Sequence, residues 1–284
     1  MNTGTTETIT DWVGKKQSAE DTVAAWPVAA LAAVLDRRDP EPGPGDAVPP
    51  GWHWLYFLET TPASELGTDG HPKRGGFLPP VTLPRRMWAG GRLEFWRALR
   101  VGETIRRDSE IVSVEPKTGR RGSLVFVTVR HTVFASGEVA VQEEHDIVYR
   151  EASRPGDAPP IGKPAPQAAA WRRELTADAV MLFRFSALIF NANRIHYDLD
   201  YCRNREQYPG LIVHGPLQAL LLLDLCRRQE SRGVRSLEYR ALHPVFHFER
   251  FTANGNPSPD KTSAELWTAN AAGSYAMTAT ARFA

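Results

Sequence analysis

The stretch Phe185-Ser186-Ala187-Leu188-Ile189-Phe190-Asn191-Ala192-Asn193-Arg194-Ile195-His196-Tyr197-Asp198 leads, after a short polar segment, to Tyr208-Pro209-Gly210-Leu211-Ile212-Val213-His214-Gly215-Pro216-Leu217. A helix is predicted from Pro216 to about Gln229, because proline suits the first helical position, where its missing N–H has no intrahelical partner to lose. Leu217, Leu220, Leu221, Leu222, Leu223 and Leu225 coat nearly the whole circumference of that helix, so it must be buried on most sides. A sheet curled around one helix meets this demand.

Working outward, the β-branched and aromatic residues of Val180 to Phe190 read as a strand, as does Trp171 to Leu175. Three further strand-like stretches come after the helix: Ser236 to His243, Val245 to Ala253 and Ser263 to Ala284. The first half repeats the theme. Thr22 to Leu35 is Ala- and Leu-rich and reads as a helix, with Pro27 kinking or beginning it. Strands are expected over Trp52 to Leu58, Trp88 to Phe95, Thr104 to Val114, Ser123 to Ala135 and Val139 to Tyr149. Proline-rich breaks fall at Asp39 to Gly51 and Ser153 to Pro166. The second is taken as a linker (153–166) between domains at 1–152 and 167–284. A helix followed by long strands, without alternating βα units, predicts an antiparallel α+β fold.

Composition excludes several functions. The 34 basic and 33 acidic residues leave a net charge of +1, so no global field holds nucleic acid or an anionic membrane. The longest apolar run, Leu217 to Leu225, is far shorter than the roughly 20 residues of a membrane-spanning helix. The polar N-terminus lacks the apolar core of a secretory signal, and Cys202 and Cys226 are the only cysteines. A cytoplasmic protein with reduced thiols and no metal site is expected. Gly90-Gly91 and Gly119 to Gly122 lack the spacing of a nucleotide loop and read as turns. No GxSxG elbow surrounds Ser186, which argues against a serine hydrolase.

The chemistry-bearing residues lie in the quoted stretch. At the helix start, Gly215 lets a ligand approach the backbone, and the unpaired N–H groups of the first turn, backed by the helix dipole, can hold an oxygen that gains negative charge. The plainer reading of His214-Gly215-Pro216 is a tight beginning to a helix. His196 is the acid/base candidate, since imidazole titrates nearest neutrality. The plainer reading there is a hydrogen-bonded structural histidine.

The segment Asn191-Ala192-Asn193-Arg194-Ile195-His196, with His214-Gly215 opening the next helix, resembles the D-x-N-P-[IV]-H signature of MaoC-like hydratases and dehydratases. Asn in the Asp place and Arg in the Pro place look more like the branch of hydroxyacyl-thioester dehydratase type 2 and mesaconyl-C4-CoA hydratase. Gly76-Phe77-Leu78-Pro79-Pro80, Pro84-Arg85-Arg86-Met87-Trp88-Ala89-Gly90-Gly91 and Glu143-Glu144-His145-Asp146-Ile147-Val148-Tyr149-Arg150 extend the similarity over the first half. The resemblance implies a double hot-dog fold, two antiparallel sheets each wrapped around a central helix, with a silent first repeat and the site on the second. It also implies an acyl-CoA or acyl-carrier thioester substrate, no cofactor, and reversible hydration of its double bond. Asn191 is the departure: an amide cannot take a proton at neutral pH and serves only to orient water or substrate. His196 then transfers protons alone or with another carboxylate such as Asp198 or Glu206.

The expected catalytic set is therefore His196, Asn191 and Gly215, with Asn193, Arg194, His214, Pro216, Leu217 and Arg86 contacting substrate. Arg194 is placed to pair with the carboxylate of a dicarboxylic acyl group such as mesaconyl-CoA or itaconyl-CoA; its plainer reading is a structural ion pair. Arg85, Arg86 and Arg92 read either as solvated surface or as contacts to that carboxylate or to CoA phosphates. Trp52, Trp54, Trp88 and Trp96 are read as core. Three alternatives stay open: an acyl-CoA thioesterase, since fold does not fix function; a fatty-acid type 3-hydroxyacyl-thioester dehydratase; and a non-catalytic acyl-CoA-binding protein. A homodimer is the expected assembly.

Overall fold

In the computed structural model, residues 8–119, 122–152 and 162–284 are described. Most of the proposed 153–166 linker lies outside them. In chain order the elements are β1 (Lys16–Thr22), α1 (Ala25–Val34), β2 (Arg85–Phe95), β3 (Thr104–Gly119), β4 (Gly122–Ala135), β5 (Glu138–Arg150), β6 (Trp171–Thr176), α2 (Ala179–Leu188), α3 (Leu199–Asn204), α4 (Gly215–Gln229), β7 (Val234–Ala241), β8 (Arg250–Pro257), β9 (Ser263–Ala269) and β10 (Tyr275–Phe283). The strands form one antiparallel sheet in the order β1-β3-β4-β5-β2-β7-β10-β9-β8-β6. Each half contributes five strands, and pairing of β2 with β7, from Gly90↔Arg240 to Glu94↔Ser236, joins them edge to edge. This pairing covers an edge strand of each half-sheet, and exposed edges invite aggregation.

The halves share a plan: a strand at the outer edge, then a ten-residue helix. In the first half β1 leads to α1, in the second β6 leads to α2, and the two helices pack on each other. Beyond these helices the halves diverge. The fifteen-residue α4 packs against β6, β7, β8, β9 and β10, and its residues Leu217 to Cys226 are all buried. At roughly 1.5 to 3 kcal/mol for burying one leucine side chain, this rod is the main apolar anchor of the fold. In the first half a mostly buried 3-10 turn, Trp52–Leu55, lies between α1 and β2. Gly51, at φ +84°, brings that turn against α4: a Cβ there would lie 2.5 Å from Leu223 Cδ1. One continuous core spans both halves.

The polar residues inside α4 are satisfied. Gln218 accepts from the Thr268 hydroxyl at 2.7 Å. Asp224, its side chain 1% exposed, meets Arg37 of the first half at 2.7 Å and Arg173 and Arg228 of the second at 2.8 and 2.7 Å.

Several sequence expectations are corrected. Val180 to Phe190 is not a strand but α2 and its C-terminal turn; Asp178 caps the helix by accepting from Met181 N–H at 2.9 Å. Trp52 to Leu58 begins with a 3-10 turn because Pro49, Pro50 and Gly51 break the extended run. α1 starts at Ala25, Thr22 belonging to β1, a strand whose polar residues show no apolar alternation. Val245 to Ala253 is mostly loop, with β8 starting at Arg250, and Ser263 to Ala284 is a hairpin of two strands. Gly90 and Gly91 lie inside β2, where a Cβ would meet Tyr239 backbone oxygen or hydroxyl at 2.5 Å. Gly119, the last residue of β3, pairs with Gly122, the first of β4, and the turn expected between them lies outside the described residues. Trp52 is buried core and Trp54 and Trp88 pack partly buried against it, whereas Trp96 is half exposed beneath the Arg235 guanidinium.

Candidate active site

The loop carrying His196 begins where α2 ends. Phe190 adopts the left-handed region at φ 50°, and Asn191 N–H donates to Ser186 carbonyl at 2.8 Å, satisfying a terminal helix acceptor. Two asparagines then shape the loop. Asn191 Oδ1 accepts from Asn193 N–H at 2.9 Å, and Asn193 caps the 3-10 turn Arg194–His196. Both use their side chains as local turn formers, which is what short amide side chains do well. Ile195 carbonyl accepts from Ile212 N–H at 2.9 Å, which ties the loop to the segment leading into α4.

His196 is buried, and its Nδ1–H donates to Ile212 carbonyl at 2.8 Å. That bond fixes the tautomer and leaves Nε2 as a lone-pair acceptor. Burial pushes its pKa down to about 4, so the ring is neutral at pH 7 and competent as a base. Its ring stacks on His214, centroids 3.5 Å apart. His214 is the residue preceding α4, and its Nε2 meets the Ser186 hydroxyl at 2.8 Å. The histidine loop is thus seated at the N-terminus of the leucine-rich helix. There no oxygen among the described residues accepts from the N–H groups of Gly215 or Leu217. Trp88 of β2 faces Gly215: a Cβ on the glycine would lie 3.6 Å from the indole.

The remaining expected residues divide. Leu217 is fully buried core, and Pro216 lies half-buried in the first turn. Arg194 is committed elsewhere: it pairs with Asp198 at 2.7 Å, donates to Thr68 carbonyl at 3.1 Å and lies over the Tyr201 ring. Asp198 is occupied by that pair and by capping α3, and Glu206 pairs with Arg85 at 3.0 Å, so neither suggested carboxylate is available to assist His196. Arg85 is buried in that pair rather than solvated. Arg92 bridges Glu144 and Asp146. Arg86 is half-buried and near Asp69, His71, His145 and the Tyr149 hydroxyl.

Two residues that the sequence reading passed over stand against the loop. Asp69 carbonyl accepts from Arg194 N–H at 2.9 Å, and Asp69 Oδ2 lies 3.0 Å from His71 Nδ1. Gly70 sits so close that a Cβ would fall 1.8 Å from Ala192 oxygen. Asp69-Gly70 is a turn dipeptide, and a histidine directly after it was the available signal.

Residues 51–247 match the family of hydroxyacyl-thioester dehydratase type 2. The chain is 42% identical over 254 residues to the mesaconyl-C(4)-CoA hydratase of Chloroflexus aurantiacus, covering 89% of this chain and 91% of that protein. In fold it is similar to the HtdX protein of Mycobacterium tuberculosis (TM-score 0.65, 20% identity, 95% and 100% of the two chains covered). A second protein of that organism, described as a double hotdog fold, superposes with a TM-score of 0.58 at 13% identity, covering 95% of this chain and 96% of its own. The family match over most of the chain, the double hot-dog architecture and the histidine loop at the start of α4 lead to one conclusion: this chain belongs to the hydroxyacyl-thioester dehydratase type 2 family and is a hydro-lyase that adds water to, or removes it from, acyl thioesters.

Proposed function

We propose that the enzyme hydrates the double bond of a short dicarboxylic enoyl-CoA of the mesaconyl-CoA or itaconyl-CoA type. The observation that carries this reading is the fixed tautomer of His196 beside the N-terminus of α4. The thioester oxygen rests on the N–H groups of Gly215 and the first helical turn, which draws electrons from the conjugated double bond. Nε2 of His196 takes a proton from water as the oxygen bonds to the β-carbon, and the α-carbon is then protonated. Asn191 and Asn193 hold the loop that presents His196.

For the substrate's distal carboxylate, Arg86 is favoured over Arg194, whose guanidinium is already paired. The 42% identity to a mesaconyl-C(4)-CoA hydratase supports a dicarboxylic substrate. Acid–base groups and hydrogen-bond donors suffice, so the proposal includes no cofactor; dialysis against EDTA should leave the rate unchanged. It also includes a cytoplasmic homodimer, in keeping with two buried thiols that form no disulfide and with the pairing habit of hot-dog units.

The test is a panel of mesaconyl-CoA, itaconyl-CoA and crotonyl-CoA, monitored by loss of the conjugated enoyl absorbance. Arg86→Met should raise KM about tenfold or more for the dicarboxylic substrates, as expected for losing a charge-assisted hydrogen bond, while leaving KM for crotonyl-CoA unchanged. Free thiol appearing faster than the absorbance falls would instead establish a thioesterase.

A further inference from the structure

The first half of the chain contributes more than scaffold to the site. The turn Gly67 to His71 is closed by Gly67 N–H donating to His71 carbonyl at 2.7 Å and Gly70 N–H to Gly67 carbonyl at 3.0 Å. It is clamped to the histidine loop from three directions. Arg194 N–H donates to Asp69 carbonyl, the Arg194 guanidinium donates to Thr68 carbonyl, and Gly70, at φ +88°, fits against Ala192 with no room for a side chain. Inside the turn the Asp69 carboxylate accepts from His71 N–H at 3.1 Å and holds the ring Nδ1 at 3.0 Å. Nε2 of His71 is thereby left for another partner, and the ring is only one-fifth exposed.

We propose that His71, held by Asp69, is the second proton-transfer residue of the hydratase, filling the role that Asn191 cannot perform. The inference rests on the hydratase reading above. In hydration, an O–H bond of water breaks, its proton goes to Nε2 of His196, and the oxygen bonds to the β-carbon. The π electrons move through the α-carbon onto the thioester oxygen. The proton passes from His196, through solvent in the site, to Nε2 of His71, and from there to the α-carbon as the enolate collapses. Both imidazoles end neutral, as they began, and one water has been added.

The chemistry favours this direction of relay. His196 leans on a neutral carbonyl, whereas an imidazolium at His71 faces a carboxylate and is the better-stabilised cation. Asp69 remains ionised: burial alone would raise its pKa, but its bonds to His71 and the nearby Arg86 hold it at about 2. Burial lowers the His71 pKa, with Asp69 opposing, so the resting ring is neutral. That is the form needed to remove the α-proton in the dehydration direction. His71 lies close enough to His196 to lower the pKa of that ring electrostatically.

The test uses the full-length enzyme and its variants His71→Ala, His71→Gln and Asp69→Asn, with crotonyl-CoA and mesaconyl-CoA as probes and circular dichroism to verify folding. His71→Ala should lower kcat by about 10² to 10⁴-fold, the usual contribution of general acid–base catalysis, with little change in KM, and added imidazole should restore part of the rate. Asp69, as a positioning residue, should lower kcat by about tenfold when changed to Asn, again without moving KM. His71→Gln keeps a hydrogen bond to Asp69 but cannot carry a proton, so a parent-like rate in this variant overturns the proposal. An inactive parent on every enoyl-CoA would instead sink the hydratase reading and this inference with it.

Discussion

The imidazoles of His196 and His214 lie face to face, their planes inclined by 19°. Each is anchored by a different element: His196 by Ile212 carbonyl, His214 by the Ser186 hydroxyl on α2. Such a stack excludes protonation of both rings at once, because two cations at that distance would repel strongly. Burial lowers the pKa of both, and each proton placed on one ring would lower the other further.

A base must be deprotonated to act. With the His196 pKa at about 4, kcat/KM should lose activity only on the acid side, as pH falls through that value, and this ring should impose no acid limb near neutrality. His196→Ala should lower kcat by about 10² to 10⁴-fold with an unchanged circular dichroism spectrum. A pH–rate profile that rises through pH 6.5 in the free enzyme would show that His196 is not held neutral.

Acid should also destabilise the fold. His196, buried, is lowered to about 4 and His131, partly buried, to about 3, and His145 is lowered as well, in each case chiefly by desolvation. In the unfolded chain histidine titrates at about 6.5. As pH drops below that value the unfolded state gains protons and the folded state does not, so stability is full above about 6.5 and is lost progressively towards the folded values. Each such ring removes up to about 1.4 kcal/mol per pH unit in that window. Thermal melts should show Tm falling between pH 6.5 and pH 4; a constant Tm across that interval would contradict the buried, neutral state.

Asp224 ties the halves together through Arg37 on one side and Arg173 and Arg228 on the other. Changing it to Ala leaves partly buried guanidinium groups without their counter-charge, and breaking a buried pair in this way typically costs about 3 to 5 kcal/mol. Denaturant titration of Asp224→Ala should reveal a loss of that order. A loss below about 1 kcal/mol, the range of a surface ion pair, would mean that water replaces the carboxylate without difficulty.

Gly70 and Gly14 form a matched pair, both at positive φ, +88° and +85°. Alanine at Gly14 meets nothing within 4 Å, so its cost should be only the backbone one, about 1 to 2 kcal/mol. Alanine at Gly70 would also collide with Ala192 and push the turn away from the histidine loop. Gly70→Ala should therefore lower kcat as well as Tm, whereas Gly14→Ala should lower Tm alone. Equal kinetics in the two variants would mean that docking of the turn is irrelevant to turnover.

The leucine-coated helix, the long strands β2 to β5 and the His-Gly-Pro helix start were legible in the sequence because each expresses a local rule: all-round apolarity, β-branched runs, proline at a first helical position. α2 was not legible. Its Val-Met-Leu-Phe-Arg-Phe run suits a strand as well as a helix, and the cap at Asp178 together with packing on α1 decides between them. β1 was hidden for the opposite reason: an edge strand pairs through its backbone and needs no apolar alternation. The site divides along the same line. His196 and the backbone donors of α4 are close in sequence and form a recognisable pattern. The Asp69–His71 pair is more than a hundred residues away from them, and only the folded chain, by closing one half on the other, brings it to the loop. Short-range preferences can be read along a chain; proximity between distant segments exists only once a common core has formed, and here that core is built around α4.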